Sequence, residues 1–434
     1  MIFERELAEA GVSCRSVLKS LAATAVVAAL SPAWAGQAQH PAAQPPVSLS
    51  KGSNPRWYGF NLLEYFSTDP DWMKYFPYKD DGLFREDDFC WIRDWEFNFV
   101  RLPMDYRFWT EEGDLMKIDE RKVEPIDRAI RLGEKYNVHV SICLHRAPGY
   151  CILDDIDATL TGIHITPEKT DLYKDPRALE TFVHQWAFFA RRYQGMPSER
   201  LSFNLVNELV FRPTPEERAE LTAGLKDRSP AAVQRAIETR GEKEYARAAH
   251  VTIKAIRAID PQRLIVSDGC ASGKGWGPVP DLIDTGVVQS PRDYFPAELT
   301  HYRTEWALGV KRAEPPTWPL KDQQGKVLAD RQAIADLLQP WREMEQEGVR
   351  IHFGEMGCNK RVPYQTVLAW FNDSPEVMGE PGSSWALWNF RGPCGILDTE
   401  RAGTKFENWR GHQLDRALLD VLQKKMMAQL RSQT

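Results

Sequence analysis

The ten residues LSFNLVNELV, at positions 201–210, are mostly apolar but include the polar pair Asn207 and Glu208. A short apolar run of this kind is typical of a strand that is buried on both faces, as in a parallel sheet. A charge inside such a strand costs roughly several kcal/mol unless it is paired or lies where the strand leaves the core. We therefore expect Glu208 to lie at the end of a buried strand and to serve a function there.

Similar apolar runs recur along the chain and alternate with helix-like segments. The predicted strands are RWYGFN (56–61), FNFVRLP (97–103), VHVSICLH (138–145), LSFNLVNE (201–208), RLIVSDG (263–269), GVVQS (286–290), RIHFGE (350–355) and SSWALWNF (383–390). Eight β-then-α units predict an α/β protein, a single (β/α)8 TIM barrel with enlarged βα loops. A doubly wound open sheet is the alternative, but the Gly-rich turn that follows its first strand is absent from YGFNLLEYF.

The N-terminal residues indicate targeting rather than fold. The positive stretch SCRSVLKS, the apolar run LAATAVVAAL and the small residues before position 36 predict a signal peptide over residues 1–35. Cys14 stands where a twin-arginine signal has its first Arg, so the export route is left open. Residues 36–50 are predicted to form a Pro/Ala-rich linker, followed by a catalytic domain over 51–434. We expect an exported protein, periplasmic or extracellular, without membrane integration after signal removal.

The composition of the chain limits which kinds of binding partner it can have. The net charge of −6 and the absence of a basic tract argue against nucleic acid or an anionic membrane surface. Six cysteines remain after Cys14, and both disulfides and buried free thiols are open. No CxxC or HExxH motif supports a zinc site, and GCASGK (269–274) lacks the spacing of a phosphate loop. A zinc site is therefore poorly supported, and we expect a monomer.

Polar residues recur where the predicted strands end. They are Arg101, His145, Asn207, Glu208, Asp268, Tyr294, Glu355 and Trp388. Eight-stranded barrels carry their active sites at the carboxyl ends of the strands. Glu208 and Glu355 end different strands and are expected to face each other across the barrel mouth, within about 5 Å. Two carboxylates in that arrangement can cleave a glycosidic bond, one as the acid and the other as nucleophile or base.

These residues carry a resemblance to a known family. The stretches NFVRLP, LHRAPG, NLVNE, HFGEMGC and WALWNFRGPCGILDTER resemble, in order and spacing, glycoside hydrolase family 5, the cellulase-type members of clan A. The resemblance covers roughly residues 57–422. It implies that Glu208 is the acid/base and Glu355 the nucleophile. It also implies a (β/α)8 fold, retention of configuration and no metal or organic cofactor.

Roles for the neighbouring residues follow from this chemistry. Arg101 is a permanent cation that suits an ionised Glu355. Burial and the Glu355 charge are expected to raise the pKa of Glu208, so that it carries a proton at neutral pH. Asn207 would offer its amide to the 2-hydroxyl of the sugar, and His145 would donate to a further hydroxyl.

Two aromatic residues complete the expected sugar site. Trp388 is expected to form an apolar floor under the ring, and Tyr294 to hydrogen-bond Glu355 from below. Plain core packing is the alternative for Trp388, and a structural role is the alternative for Tyr294.

One position departs from the family pattern. SPRDYFP places Arg292 where the family has the histidine of its His-x-Tyr motif. Arg292 is expected to pair with Glu355, anchor Glu208 or meet an acidic group of the substrate, and near Glu208 it would lower the pKa of that acid. His301 is expected to support the site from behind. Three further residues are expected to line the cleft: Glu64, Asp268 and Trp276.

The long segments 146–177, 211–241 and 302–332 are predicted to be loops that shape the cleft. Whether they leave an open groove for endo-action or close a pocket for exo-action is left open. The predicted activity is hydrolysis of a β-linked glucan or mannan, as polysaccharide or oligosaccharide. A carbohydrate-binding pseudoenzyme and a transglycosylase on the same barrel are the alternatives.

Overall fold

The protein is described here by a computed structural model over residues 56–74, 83–111, 113–272, 275–304, 306–307, 312–380 and 382–432. The predicted signal peptide (1–35) and linker (36–50) lie outside the described residues. So do the first residues of the predicted domain, 51–55. The signal peptide and linker therefore stay predictions.

Eight parallel strands close into a barrel in which each strand pairs with its neighbours in the chain and the eighth pairs with the first. The strands are β1 Tyr58–Asn61, β2 Phe99–Asp105, β3 His139–Ala147, β4 Leu201–Asn204, β5 Leu264–Asp268, β6 Val288–Ser290, β7 Arg350–Met356 and β8 Ser384–Leu387. Each falls within or overlaps the predicted run. The single (β/α)8 barrel is confirmed, and the open doubly wound sheet is wrong because β1 pairs with β8.

Helices cover the outside of the barrel. They are α1 Glu86–Asp94, α2 Glu124–Tyr136, α3 Pro176–Arg192, α4 Pro230–Ile259, α5 Arg331–Leu337, α6 Gln339–Gln346, α7 Tyr364–Gly379 and α8 Arg416–Ser432. Between β5 and β6 a six-residue 3₁₀ helix, Pro280–Thr285, stands where a full α-helix was expected. Shorter helices lie in the βα loops: Pro70–Met73, Ala158–Thr161, Pro215–Ala223 and Ala297–Thr300.

The segment 211–241, predicted as a loop, is largely helical. Pro215–Ala223 begins with a capping box, in which the Thr214 hydroxyl and the Glu217 side chain satisfy each other's backbone N–H groups. The 30-residue helix α4 begins at Pro230, where the Ser229 side chain caps the first turn. The prediction of a long loop was wrong here because these capping residues begin two helices within the segment.

The inside of the barrel changes character along the strands. At the amino ends the interior is an apolar cluster of Trp57, Phe99, Leu264, Val266, Val288 and Ala386. In the next layer, His139 bonds Ser202 at 2.9 Å and His352 bonds Ser384 at 2.9 Å. At the carboxyl ends the interior holds charged side chains. The functional groups are therefore collected at one end of the barrel.

Small strand pairs lie in the loops. They are Thr110–Glu111 with Asp114–Ile118, Tyr150–Cys151 against β3, Cys270–Ser272 with Gly275–Gly277, Arg292–Asp293 against β7, Leu320–Lys321 with Val327–Ala329, and Glu407–Trp409 with His412–Leu414. The rejected phosphate-loop motif thus contributes one strand of a hairpin that follows β5. All six cysteines of the described chain are free thiols. No helix among the described residues is long and apolar enough to cross a membrane.

Candidate active site

Glu208 lies just beyond the end of β4. The strand ends at Asn204, earlier than predicted, and the chain then runs irregularly to Glu208, whose φ of 42° is in the left-handed region. Two contacts hold this backbone: the Glu208 N–H donates to Asp268 at 2.9 Å, and the Tyr150 hydroxyl donates to the Glu208 carbonyl. A non-glycine residue in this conformation persists only where its surroundings hold it. The backbone therefore fixes the direction of the Glu208 side chain.

Glu355 is the penultimate residue of β7 and is surrounded by donors. Arg101 Nη1 donates to Glu355 Oε1 at 2.6 Å, and the Tyr294 hydroxyl donates to Oε2 at 2.9 Å. Arg101 lies in the middle of β2, not at its end as predicted, because β2 continues to Asp105. The expected pairing of Arg101 with Glu355 is present.

Arg292 lies between the two glutamates. Its Nε is 3.7 Å from Glu208 Oε1 and 3.3 Å from Glu355 Oε1, so these two oxygens are at most 7.0 Å apart. Its Nη2 donates to Asp268, and its Nη1 donates to Ser290 Oγ at 2.9 Å. Of the three alternatives expected for Arg292, the structure has it next to Glu355 and near Glu208, and the carboxylates of the two glutamates share one rim.

A glycine makes room for this arginine. A Cβ on Gly354 would lie 2.7 Å from Arg292 Nη1 and 2.7 Å from Ser290 Oγ. Any side chain at position 354 would therefore displace Arg292 or Ser290. The arginine that departs from the family pattern is built into the packing of β6 and β7.

The surroundings of Glu208 change the pKa of its carboxyl group. Burial and the negative charge of Glu355 raise the pKa of Glu208 to about 8, and the positive charges of Arg292 and Arg101 only partly oppose this. Glu208 therefore holds a proton at neutral pH. Burial and the Glu355 charge also raise the pKa of Tyr294 well above its ordinary value, so its hydroxyl remains a donor.

A cavity of about 550 Å³ opens above these residues. Eight of the predicted site residues line it: His145, Glu208, Trp276, Arg292, Tyr294, His301, Glu355 and Trp388. The His145 ring stacks beside Trp388, with centroids 5.9 Å apart, and contacts Phe66 edge-on at 4.5 Å. Burial, together with the charges of Arg101 and Arg292, holds the pKa of His145 well below its ordinary value, so the imidazole is neutral.

His301 and Trp276 also line the cavity. The His301 ring packs edge-on against Tyr294, with centroids 5.1 Å apart, and its Nδ1 lies 3.0 Å from Thr300 Oγ1. The expected support of the site by His301 thus runs through Tyr294, although His301 also reaches the cavity. Trp276 lies on the hairpin after β5, and its carbonyl accepts a bond from Trp341.

Four predicted residues do not line the cavity. Arg101, Asn207 and Asp268 are at most 1% exposed and lie beneath it. Glu64 is buried near Asp88 and Arg391, so the expectation that it lines the cleft is wrong, as it is for Asp268. Arg101 and Asp268 act on the site through the groups they hold.

Asn207 belongs to this buried layer as well. Its Oδ1 accepts from Arg101 Nη2 at 2.8 Å and from Arg292 Nη2 at 3.3 Å. Its Nδ2 has no hydrogen-bond partner within the described chain. The amide nitrogen is thus held in one orientation by the two arginines and has bonding capacity left over.

Several residues of the site were missed by sequence reasoning. Asn61 and Asn204 each accept a bond from Arg101, at 3.0 and 2.8 Å. Their signal is a polar residue at an inward position of an otherwise apolar strand. The cavity is also lined by residues that the sequence analysis did not single out: Phe66, Trp72, Ile152, Leu153, Ile156, Leu337, Asn359 and Cys394.

The polar groups of the site are suited to transferring protons and to hydrogen-bonding the hydroxyls of a sugar. Among the described residues, no group of His, Cys, Asp and Glu is arranged to hold a metal ion. The two glutamates instead face arginines and hydroxyls, an arrangement that can protonate one oxygen while a second carboxylate meets a carbon centre.

A closed barrel that carries two unlike glutamates beside an aromatic floor at its carboxyl rim has the architecture of a glycoside hydrolase. The comparison with protein families agrees. The chain belongs to the cellulase family, glycosyl hydrolase family 5, whose model matches residues 51–392. The resemblance drawn from the short motifs is thereby confirmed.

Individual relatives fit this family. Endoglucanase C of Acetivibrio thermocellus is 24% identical over 332 residues, which cover 72% of this chain and 85% of that protein. A crystal structure of a glycoside hydrolase matches with a TM-score of 0.69 and 34% identity, over 85% of this chain and 99% of that one. Cel5A of Thermotoga maritima, solved with mannotriose, shares the fold with a TM-score of 0.57 at 20% identity, covering 84% and 97%. The protein is a cellulase-like β-glycoside hydrolase.

Proposed function

We propose that the protein hydrolyses β-linked glucan chains or their oligosaccharides with retention of configuration, with Glu355 as nucleophile and Glu208 as acid/base. The observation that carries the proposal is the shared position of the two glutamates around Arg292, which limits their Oε1 atoms to 7.0 Å given contacts of 3.7 and 3.3 Å. Retaining glycosidases hold their carboxyl groups about 5–5.5 Å apart, which lies within this limit.

In the first step the Glu355 carboxylate attacks the anomeric carbon. Its bonds from Arg101 and Tyr294 fix the carboxylate, so the attacking oxygen is already positioned. The protonated Glu208 delivers its proton to the glycosidic oxygen as the bond to the anomeric carbon breaks. The leaving sugar departs as an alcohol, and the remaining sugar is bound to Glu355 as an ester.

In the second step water replaces the ester. Formation of the ester removes the negative charge of Glu355, one of the causes that raise the pKa of Glu208. The pKa of Glu208 therefore falls after the first step, so the residue can take a proton from water. The water attacks the anomeric carbon from the face that the leaving group vacated, and Glu355 is released as a carboxylate. Two displacements restore the original configuration.

A glucan is the proposed substrate class. The relative from Acetivibrio thermocellus is an endoglucanase, which supports a glucan backbone. The solved Cel5A bound mannotriose, so mannan is the competing substrate. The two sugars differ in the orientation of the 2-hydroxyl. The unpartnered Nδ2 of Asn207 is the amide assigned to that hydroxyl, although it lies buried just below the cavity surface.

Arg292 raises the alternative of a pseudoenzyme that only binds sugar. Arg292 displaces neither glutamate, however: Glu355 keeps its bonds to Arg101 and Tyr294, and both glutamates line the cavity. Catalysis is therefore the better reading. Transfer to a sugar instead of water uses the same two residues and is distinguished by its products.

The proposal is tested on the purified protein with aryl β-glucosides, aryl β-cellobiosides and a panel of glucans, mannans and xylans. We expect hydrolysis of the glucan-type substrates, followed as released phenol and reducing sugar. Glu355→Ala should lose several orders of magnitude in turnover, and azide should restore part of it with a glycosyl azide of the opposite anomer. Full activity of Glu355→Ala without azide would overturn the assignment. Elongated products in place of reducing sugar would instead indicate a transglycosylase.

Export is a further part of the proposal and is supported by the sequence of residues 1–35 alone. Intact-mass and N-terminal analysis of protein secreted from a bacterial host should show that the chain begins near position 36. A cell-associated protein that keeps its first residues would contradict export.

A further inference from the structure

Three loops of the barrel meet beside the aromatic floor of the site. They follow β1 (residues 62–74), β3 (148–175) and β6 (291–307 within the described residues). Their apolar side chains form one cluster with two residues that follow β8, Trp388 and Cys394, and this cluster is here called the apolar wall. Its buried members are Leu63, Phe66, Trp72, Ile163, Trp388 and Cys394, and Leu153, Ile156, Ile165, Tyr294 and Trp306 are partly buried against them. The wall joins segments that are far apart in the chain.

The aromatic members form a continuous series of contacts. The ring centroids of Trp388 and Phe66 are 5.3 Å apart, those of Phe66 and Trp72 are 6.1 Å apart, and those of Trp72 and Trp306 are 5.2 Å apart. Trp72 follows β1 and Trp306 follows β6, and in the barrel these strands are separated by β7 and β8. The pair therefore joins two loops above the strands that carry Glu355 and Trp388.

Polar contacts hold the loops of the wall together. The Thr166 N–H donates to Asp69 at 3.2 Å, and the His164 ring bonds Asp71 at 3.0 Å, so the loops after β1 and β3 are joined twice. Arg107 binds Asp69 at 2.7 Å from the segment after β2. The wall is thus supported by polar contacts, among them the part-buried ion pair of Arg107 with Asp69, and not by apolar contacts alone.

The proposed chemistry gives this wall a direction. The leaving sugar departs next to the proton donor Glu208. The next residue, Leu209, forms a β-bridge with Cys270, which lies in the same hairpin as Trp276. In the proposed mechanism the sugar that is attacked is expected to lie over Trp388, which lines the cavity together with Glu355. Further rings on that side extend toward the non-reducing end of the chain, and the wall begins at Trp388. The wall therefore lies at the non-reducing end of the bound substrate.

Resting on the proposed function, we propose that the apolar wall closes the cleft at its non-reducing end, so that the enzyme removes one or two sugar units from chain ends. The cavity of about 550 Å³ has room for a ligand of a few rings. The apolar faces of pyranose rings match the aromatic surfaces of Trp72, Trp306 and Trp388. Trp72 and Trp306 are then specificity-determining residues.

The first experiment uses cellohexaose labelled at its reducing end. We expect early labelled products that are one or two units shorter than the substrate, and a slow fall in the viscosity of a soluble β-glucan relative to released reducing ends. A mixture of short labelled products with a rapid fall in viscosity would overturn the inference.

A second substrate tests the closure itself. Labelled cellohexaose with a benzylidene group on O4 and O6 of its non-reducing unit is expected to be cleaved at least about 100-fold more slowly than the unblocked form. Equal rates on the two substrates would overturn the inference. This comparison needs only the unmodified protein, so it holds even where a variant fails to fold.

The variant Trp72→Ala/Trp306→Ala opens the wall. It should reduce the ratio of unblocked to blocked rates by about tenfold or more and should release longer fragments. Trp276→Ala is the matched control, because it removes a cavity-lining tryptophan that lies on the hairpin after β5 and is not part of the apolar wall, and it should leave that ratio unchanged. If both variants change the ratio equally, the wall does not set the product length. Hydrolysis of aryl β-glucosides distinguishes failure of this inference from failure of the proposed function. If the protein is active but cleaves chains internally, only the inference about the wall is contradicted. If it is inactive on every substrate, the proposed function is contradicted as well.

Discussion

Two buried clusters of the protein contain the same kinds of residue and differ in what they leave unsatisfied. The site cluster consists of Arg101, Arg292, Glu208, Asp268 and Glu355. The loop cluster lies at the ends of β2 and β3 and in the segments that follow β1, β2 and β3. It consists of Arg107, Arg146, Asp69, Asp105 and Glu168. Each has two arginines and three carboxylates, so composition alone does not separate a catalytic group from a structural one.

The loop cluster is saturated with hydrogen bonds. Glu168 accepts from Arg146 at 2.7 Å, from the Tyr106 hydroxyl at 2.9 Å and from the Gly149 N–H at 3.0 Å. Bonds of this density stabilise a fixed arrangement of the carboxylate. The loop cluster therefore holds the loops in place.

The site cluster keeps capacity at the cavity. Arg292 Nε has no hydrogen-bond partner among the described residues, although both glutamates lie near it. Glu208 has its cation 3.7 Å away, beyond hydrogen-bond length, and its pKa is raised to about 8 by burial and by Glu355. A carboxyl group with a raised pKa and no hydrogen-bonded cation can exchange a proton with a substrate. Unsatisfied bonding capacity at the cavity, and not charge, distinguishes the site cluster from the loop cluster.

The largest expected effect separates the clusters by turnover. Glu208→Gln should lower kcat/KM on cello-oligosaccharides by about 10³-fold, because the amide cannot supply the proton for the leaving sugar. A 2,4-dinitrophenyl β-cellobioside needs no such proton, so it should still show a burst of phenol in stopped-flow measurements. A loss of less than tenfold on cello-oligosaccharides would show that Glu208 is not the acid.

The same variant should not be less stable at pH 7. Folding raises the pKa of Glu208, so its contribution to stability is present below the pKa of the unfolded chain and is lost as pH rises toward about 8.

Asp69→Asn is the matched change in the loop cluster. Burial opposes the charge of Asp69, but the hydrogen bond and charge of Arg107 hold its pKa below the ordinary value, so its stabilisation is present at neutral pH.

Asp69→Asn should therefore lower the free energy of unfolding by about 2 kcal/mol, measured by urea denaturation. Turnover of an aryl glycoside by the folded variant should fall by far less than for Glu208→Gln. Equal losses of turnover in the two variants would remove the distinction between the clusters.

A smaller effect is expected in the pH profile. The alkaline limb of kcat/KM should lie near pH 8, where Glu208 loses its proton. The Arg292 charge lowers the pKa of Glu208, so Arg292→Gln should move this limb to higher pH while reducing kcat. Arg107→Gln removes a cation of the loop cluster and should leave the limb in place. Movement of the limb to lower pH in Arg292→Gln would contradict this account of Arg292.

The barrel and its two glutamates could be predicted because they depend on local patterns. Apolar runs gave the positions of all eight strands, and strand ends gave Glu208 and Glu355. The bounds were less accurate: β2 continues to Asp105, and β4 stops at Asn204 because the chain turns into the left-handed conformation at Glu208.

The supporting residues could not be predicted because they depend on distant pairings. Asp69 meets Arg146 across 77 positions of the chain, and Trp72 meets Trp306 between loops that carry no motif. Burial was missed for a related reason. Arg101 points into the barrel from the middle of β2, so its distance below the cavity depends on the register of the closed sheet. A single sequence does not contain that register.

The central claim is that Glu355 forms a covalent bond with the sugar while Glu208 transfers the proton. The most direct measurement is mass spectrometry of peptides after treatment with an activated 2-deoxy-2-fluoro β-cellobioside, which slows release of the ester. We expect the sugar mass on the peptide that contains Glu355, and no label in Glu355→Gln. A label on any other residue, or an inverted product without a label, would contradict the account.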